Sequence, residues 1–244
     1  MRNVVIDFEK IKSDIISLLE VNCINFDKDS LDINYSINLN VDFKYLIDKL
    51  NTQMDSISQA IKDRSWVDVV CLLGRIRVSF IHLSDFFYNI ESDIKYLIDG
   101  EKAHYCGKDL NSENRFDAPN DSDIFMVDLG FNKIKPIIIE LTEFNGQTMA
   151  ADYWKLDYRL DFDEYFRETV SSLMSCFEYQ SIRAYSKDLR MLSIKLNNAY
   201  LLCKKLNQFF YAACADIENL AWSENSNLPD IPEGYTLPAK YVGI

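Results

Sequence analysis

Glycine is scarce in this chain: seven among 244 residues, at positions 74, 100, 107, 130, 146, 234 and 243, with no GxG or GxxG spacing. Phosphate-cradling loops need glycine where the backbone approaches the anion or takes positive φ, so a P-loop and a dinucleotide fingerprint are both excluded. Histidine is scarcer still, with only His82 and His104. His104 and Cys106 stand two apart without a second pair at finger-like spacing, which leaves no zinc motif. His82, next to a helical stripe, reads as a partly buried structural residue. The six cysteines (Cys23, Cys71, Cys106, Cys176, Cys203 and Cys214) include no CxxC. Several fall in apolar helical stripes, the pattern of reduced thiols in a cytoplasmic protein rather than of a disulfide framework. No apolar run approaches the roughly 18 residues of a membrane span, and MRNVVIDFEKIKSD lacks the unbroken apolar core of a secretion signal. The expected location is cytoplasmic, with no membrane contact and no cofactor.

Positive charge is also in deficit: 26 Lys and Arg against 38 Asp and Glu give a net charge of -12. Nucleic-acid binding rests on cations that displace counterions, so this balance counts against direct contact with nucleic acid. An acidic field steers toward basic partners instead. The deficit is concentrated: residues 109–164 hold 13 acidic and five basic residues, and Phe144, Tyr153, Trp154, Tyr158, Phe162 and Tyr165 are interleaved with them.

What the chain does have is helical periodicity. Trp66, Val69, Leu73, Ile76, Phe80, Leu83, Phe87, Ile90, Ile94 and Leu97 follow at alternating steps of three and four, and so do Leu189, Leu192, Leu196, Ala199, Cys203, Leu206, Phe210, Ala213, Ile217 and Leu220. Each series is one apolar stripe on a helix of more than 30 residues. The positions flanking the second stripe are mostly uncharged, whereas a two-stranded coiled coil wants charge there; both helices are therefore read as central members of an intramolecular bundle. Shorter periodic segments predict helices over 4–21, 44–63 and 163–179, beside long ones over 66–99 and 185–222. Strict alternation from Leu31 to Phe43 predicts a strand. DIFMVDLG (123–130) and KPIIIELTEF (135–144) read as two more. The tail from Ser223, with Pro229, Pro232 and Pro238, reads as extended. No internal repeat is apparent. The expected fold is a helix-dominated α+β single domain over 1–244, with a small sheet of about three strands, antiparallel or mixed.

Two sets of residues are candidates for function. Asp152, Tyr153, Trp154, Asp157, Tyr158 and Asp161 form an acidic, aromatic-rich segment. Carboxylates steer a basic protein and Tyr and Trp supply anchors, so this set predicts a non-catalytic protein-binding module of the inhibitor or immunity type, or an antagonist. The alternative is a metal-dependent hydrolase or transferase using Asp128, Glu140 and Glu143, since hard cations take carboxylate oxygens. The order Asp128, short turn, apolar strand, Glu140-x-Thr142 resembles the metal-binding end of ATP-grasp enzymes, where Glu-x-Asn is usual. It also resembles nucleases in which Asp is followed by Glu-x-Lys. Thr142 departs from both patterns. A third reading, from the long stripes alone, is a structural helical assembly protein, with homo-oligomers as its form.

Overall fold

The computed structural model describes residues 6–21, 31–100, 129–150, 153–177 and 189–242. Among them six α-helices follow in order: α1 (Phe8–Val21), α2 (Leu39–Lys62), α3 (Trp66–Gly100), α4 (Ile134–Phe144), α5 (Phe162–Cys176) and α6 (Leu189–Trp222). Short 3-10 turns span Phe131–Lys133 and Ala239–Tyr241. The two long stripes form as expected. Every stripe residue from Val69 to Leu97 in α3, and from Leu192 to Leu220 in α6, is buried.

No strand occurs among the described residues, so the expected α+β class with a three-stranded sheet is wrong and the fold is helical. Physical reasons are visible at two of the three segments. In Leu31–Asn38 the alternation is real, but the backbone N–H groups of Asp32 and Ile33 donate to the Asp93 carboxylate rather than to a neighbouring strand. From Leu39 the buried positions Leu39, Phe43, Leu46, Ile47, Leu50 and Met54 follow a helical period instead. Asn38 starts that helix, its Oδ1 accepting the N–H of Val41 at 3.0 Å. In the 135–144 segment and the residue before it, Ile134, Ile137, Ile138 and Leu141 are buried at i, i+3, i+4 and i+7. Pro136 falls in the first turn of α4, where no intrahelical donor is required. Of the remaining segment, 123–128 lies outside the described residues, and Leu129–Gly130 is irregular.

The chain contains an internal duplication, contrary to the expectation of none. Shifted by 123 positions, copy 1 (residues 6–100) overlays copy 2 (residues 129–223) without a gap. Phe8-x-Lys10-Ile11-Lys12-x-x-Ile15-Ile16-x-Leu18-x-Glu20-x-Asn22 recurs as Phe131-x-Lys133-Ile134-Lys135-x-x-Ile138-Ile139-x-Leu141-x-Glu143-x-Asn145, and Phe86-Phe87-Tyr88 recurs as Phe209-Phe210-Tyr211. In all, 22 aligned pairs are identical, nine of them within residues 8–22, a clustering that an accidental overlap does not produce. Hydrogen bonds repeat with the same offset. The N–H of Phe8 donates to Asn40 Oδ1 at 2.7 Å, and that of Phe131 to Asp163 Oδ1 at 2.7 Å. Lys12 Nζ donates to the Ile37 carbonyl, and Lys135 Nζ to that of Leu160. Asp161 Oδ1 caps α5 through the N–H of Glu164 at 2.9 Å, as Asn38 caps α2.

The chain divides into two compact units, and each draws on both copies. Unit 1 comprises Met1–Phe43, Asp85–Val127 and Phe166–Asn207; unit 2 comprises Lys44–Ser84, Asp128–Tyr165 and Gln208–Ile244. Each unit therefore combines the two ends of one copy with the middle of the other. Within unit 1, Phe8, Phe43, Phe86, Phe87 and Phe166 form one aromatic cluster, with ring centroids 4.9–6.1 Å apart. Within unit 2, Phe131, Phe162, Tyr165, Phe209 and Phe210 form another. Such ring pairs each add about 0.5–1.5 kcal/mol beyond area burial. The long helices meet inside both units: Glu91 with Asn207 in unit 1, and Phe80 with Phe210 and Arg77 with Glu218 in unit 2. Gly130 is required where it stands. Its φ is +63°, and a Cβ there would lie 1.9 Å from Asn51 Oδ1.

Candidate functional site

The buried carboxylates of the described residues are the natural place to look for chemistry. Asp93 on α3 accepts the N–H groups of Asp32 (2.8 Å) and Ile33 (3.1 Å) and the hydroxyl of Tyr35 (3.1 Å). Asp216 on α6 repeats this, accepting from the N–H groups of Lys155 (2.7 Å) and Leu156 (3.0 Å) and the hydroxyl of Tyr158 (3.1 Å). Burial pushes both carboxyl groups above the ordinary range, and the three donors oppose it. Burial and the facing carboxylate push both tyrosines upward as well. Each aspartate takes three donors from its own chain, and the pair acts as two clamps that fix the loops preceding α2 and α5.

The acidic, aromatic segment is organised by the second clamp. Asp152 lies outside the described residues. Trp154 is 6% exposed and Phe162 is 1% exposed, so both rings face the interior. Tyr158 is tied to Asp216, and the hydroxyl of Tyr153 donates to Asn219 at 3.2 Å. The acids point the other way. Exposed Asp157 takes a bidentate pair from Arg159 at 2.8 Å, which holds its carboxyl down at about 2. Asp161 is exposed and accepts from Asn132 Nδ2 and the N–H of Glu164, bonds that also lower it. Leu160 between them is half exposed.

Of the carboxylates considered for a metal, Asp128 lies outside the described residues. Glu140 and Glu143 are exposed on α4, a helix and not the strand that the likeness to ATP-grasp enzymes and nucleases requires. Thr142 is buried and donates to the Ile138 carbonyl at 2.6 Å. Among the described residues no three His, Cys, Asp or Glu side chains are grouped to hold a metal ion. His82 is exposed on α3, not partly buried, and His104 and Cys106 lie outside the described residues.

Asp14 is a largely buried carboxylate that periodicity hid. It occupies the place of buried Ile137 in copy 2, on the inner side of α1. Its Oδ2 is buried without a hydrogen-bond partner, with Lys10 Nζ 3.8 Å away. Burial pushes its carboxyl up to about 7, Lys10 opposing and Asp7 reinforcing the shift. The folded state therefore holds a proton that the unfolded chain releases near 4, and stability falls as pH rises from about 4 to about 7. Asp14→Asn is expected to be more stable than the parent by about 2–4 kcal/mol at pH 8, at ~1.4 kcal/mol per pKa unit, with the gap closing toward pH 4. Urea unfolding of both proteins at the two pH values measures this.

Among the described residues no helix is long and apolar enough to cross a membrane. Comparison of the chain with protein-family models, with curated proteins and with solved structures gives no match.

Proposed function

We propose that the chain is a non-catalytic protein-binding module that engages a basic protein partner, in the manner of an inhibitor or immunity protein. The observation that carries this reading is the sidedness of residues 153–161. Trp154 and Tyr158 are anchored inward while Asp157, Leu160 and Asp161 face out, on a backbone that the Asp216 carboxylate fixes at Lys155 and Leu156. A rigid edge that turns the Asp157 and Asp161 carboxylates outward around one apolar side chain, with Asp157 paired to Arg159, loses little entropy on binding, and its carboxylates are the groups that meet a cationic surface. Residues Asp157 and Asp161 are the steering charges, with Asp152 beside them in sequence. Trp154, being interior, supports the surface rather than touching the partner.

The test starts from a partner captured from native cell extract and follows its association at low and high salt. Asp152→Asn, Asp157→Asn and Asp161→Asn combined are expected to slow association several-fold at low salt and to leave dissociation nearly unchanged. Asparagine keeps one acceptor oxygen, which suffices at Asp161, where Oδ1 alone takes Asn132 Nδ2 and the α5 cap N–H; at Asp157 one of the two exposed bonds from the Arg159 side chain is lost, so the fold survives the change. A partner that associates equally fast with the triple variant, or equally fast at both salts, places the interface elsewhere.

A further inference from the structure

We infer that the two copies are separable halves that recognise each other, so that the chain is a fused dimer whose fold does not depend on the covalent link between Gly100 and Leu129. Neither compact unit can be built from one copy, because each needs the other copy's middle segment. The contacts that join the halves run from buried ring packing to half-buried and exposed polar pairs. In unit 2, the Trp66 ring stacks on Phe144 at 4.0 Å, Asn51 Nδ2 reaches the Leu129 carbonyl at 3.4 Å, and Lys133 Nζ holds Asp55 at 2.9 Å. In unit 1, Lys10 Nζ donates to the Phe177 carbonyl, and Phe166 packs on Phe87. Phe43 and Phe166, equivalent positions of the two copies, stack on each other at 5.7 Å and 7°. A residue that meets its own equivalent is the signature of an isologous interface, the kind two identical subunits form. The partner each half fits is thus a second copy of its own module, and the inference is independent of the binding function proposed above.

The experiment uses the full chain with a protease site inserted after Gly107, cut once the protein has folded and been purified. The two fragments are expected to co-elute under native conditions at the mass of the uncut 28.4 kDa chain plus the insert, with helical circular dichroism retained. The melting temperature of the cut protein is expected to rise over a hundredfold range of concentration, while that of the uncut protein stays fixed. Phe166→Ala in the cut protein is expected to raise the concentration needed to hold the halves together by tenfold or more. The same variant left uncut reports whether the substitution alone unfolds the chain. Fragments that separate while each keeps its helicity, or that unfold on cleavage at all concentrations, would overturn the inference. So would a cut protein whose melting is independent of concentration and of Phe166.

Discussion

Asp93→Ala and Asp216→Ala are each expected to destabilise the protein by about 3–5 kcal/mol, and by similar amounts. The alanine leaves two backbone N–H groups and a tyrosine hydroxyl without their acceptor in a part-buried setting: Asp32, Ile33 and Tyr35 in one case, Lys155, Leu156 and Tyr158 in the other. Water cannot fully replace a carboxylate that takes all three donors, so the loss exceeds that of an ordinary hydrogen bond. Tyr35→Phe and Tyr158→Phe remove one donor and leave the carboxylate two partners, and about 1 kcal/mol is expected for each. Denaturant unfolding at constant m-value measures all four. An alanine variant within 1 kcal/mol of the parent would show that the clamp does not hold its loop.

Leu83→Asp and Leu206→Asp are expected to have the larger effect, abolishing the fold at 25 °C. Both side chains are fully buried, at equivalent positions of α3 and α6. An isolated carboxylate there loses its hydration without a partner, and that cost competes with a total stability of only about 5–15 kcal/mol. Circular dichroism and sedimentation distinguish the outcomes. Loss of helicity is expected; a folded monomer would mean that the stripes do not form the interior of the chain.

These effects bear on how much could be read from residues alone. The long helices were legible because ten apolar residues in succession keep a 3-4 step in each, and no irregular segment imitates that. The strands were misread for two local reasons. From Leu31 to Asn38 an irregular loop buries Leu31 and Ile33 and lets Asp93 replace the ladder partner, so it satisfies period two without being a strand. In KPIIIELTEF the short apolar run fits either element, and its burial at 137, 138 and 141, in phase with Ile134 before it, is set by packing. The duplication escaped because the copies exchange chemistry at matching roles. Asn40 corresponds to Asp163, Asn38 to Asp161 and Glu9 to Asn132, each an acceptor in both copies, while Trp66 and Leu189 share a stripe position. Role survives where identity does not, and only the FxKIKxxII segment and the FFY triplet carry the repeat openly. The acidic segment was legible as charge. Which way its aromatic rings face was not, since that depends on Asp216, some 60 residues away.

The exchange of middle segments between the copies is the claim on which the architecture rests, and one measurement separates it from the arrangement in which each copy folds on itself. Carbodiimide joins a lysine to a carboxylate in direct contact, and Lys133 of copy 2 has one candidate in each arrangement. Exchange places it on Asp55 of copy 1, at 2.9 Å. Without exchange it would meet Glu178, the residue of copy 2 that takes the place of Asp55 in the repeat. Peptide mass spectrometry of the crosslinked monomer is expected to find Lys133 bonded to Asp55, and Lys240 bonded to Asp63, its 2.8 Å partner. Lys133 bonded to Glu178, with no product at Asp55, would contradict it.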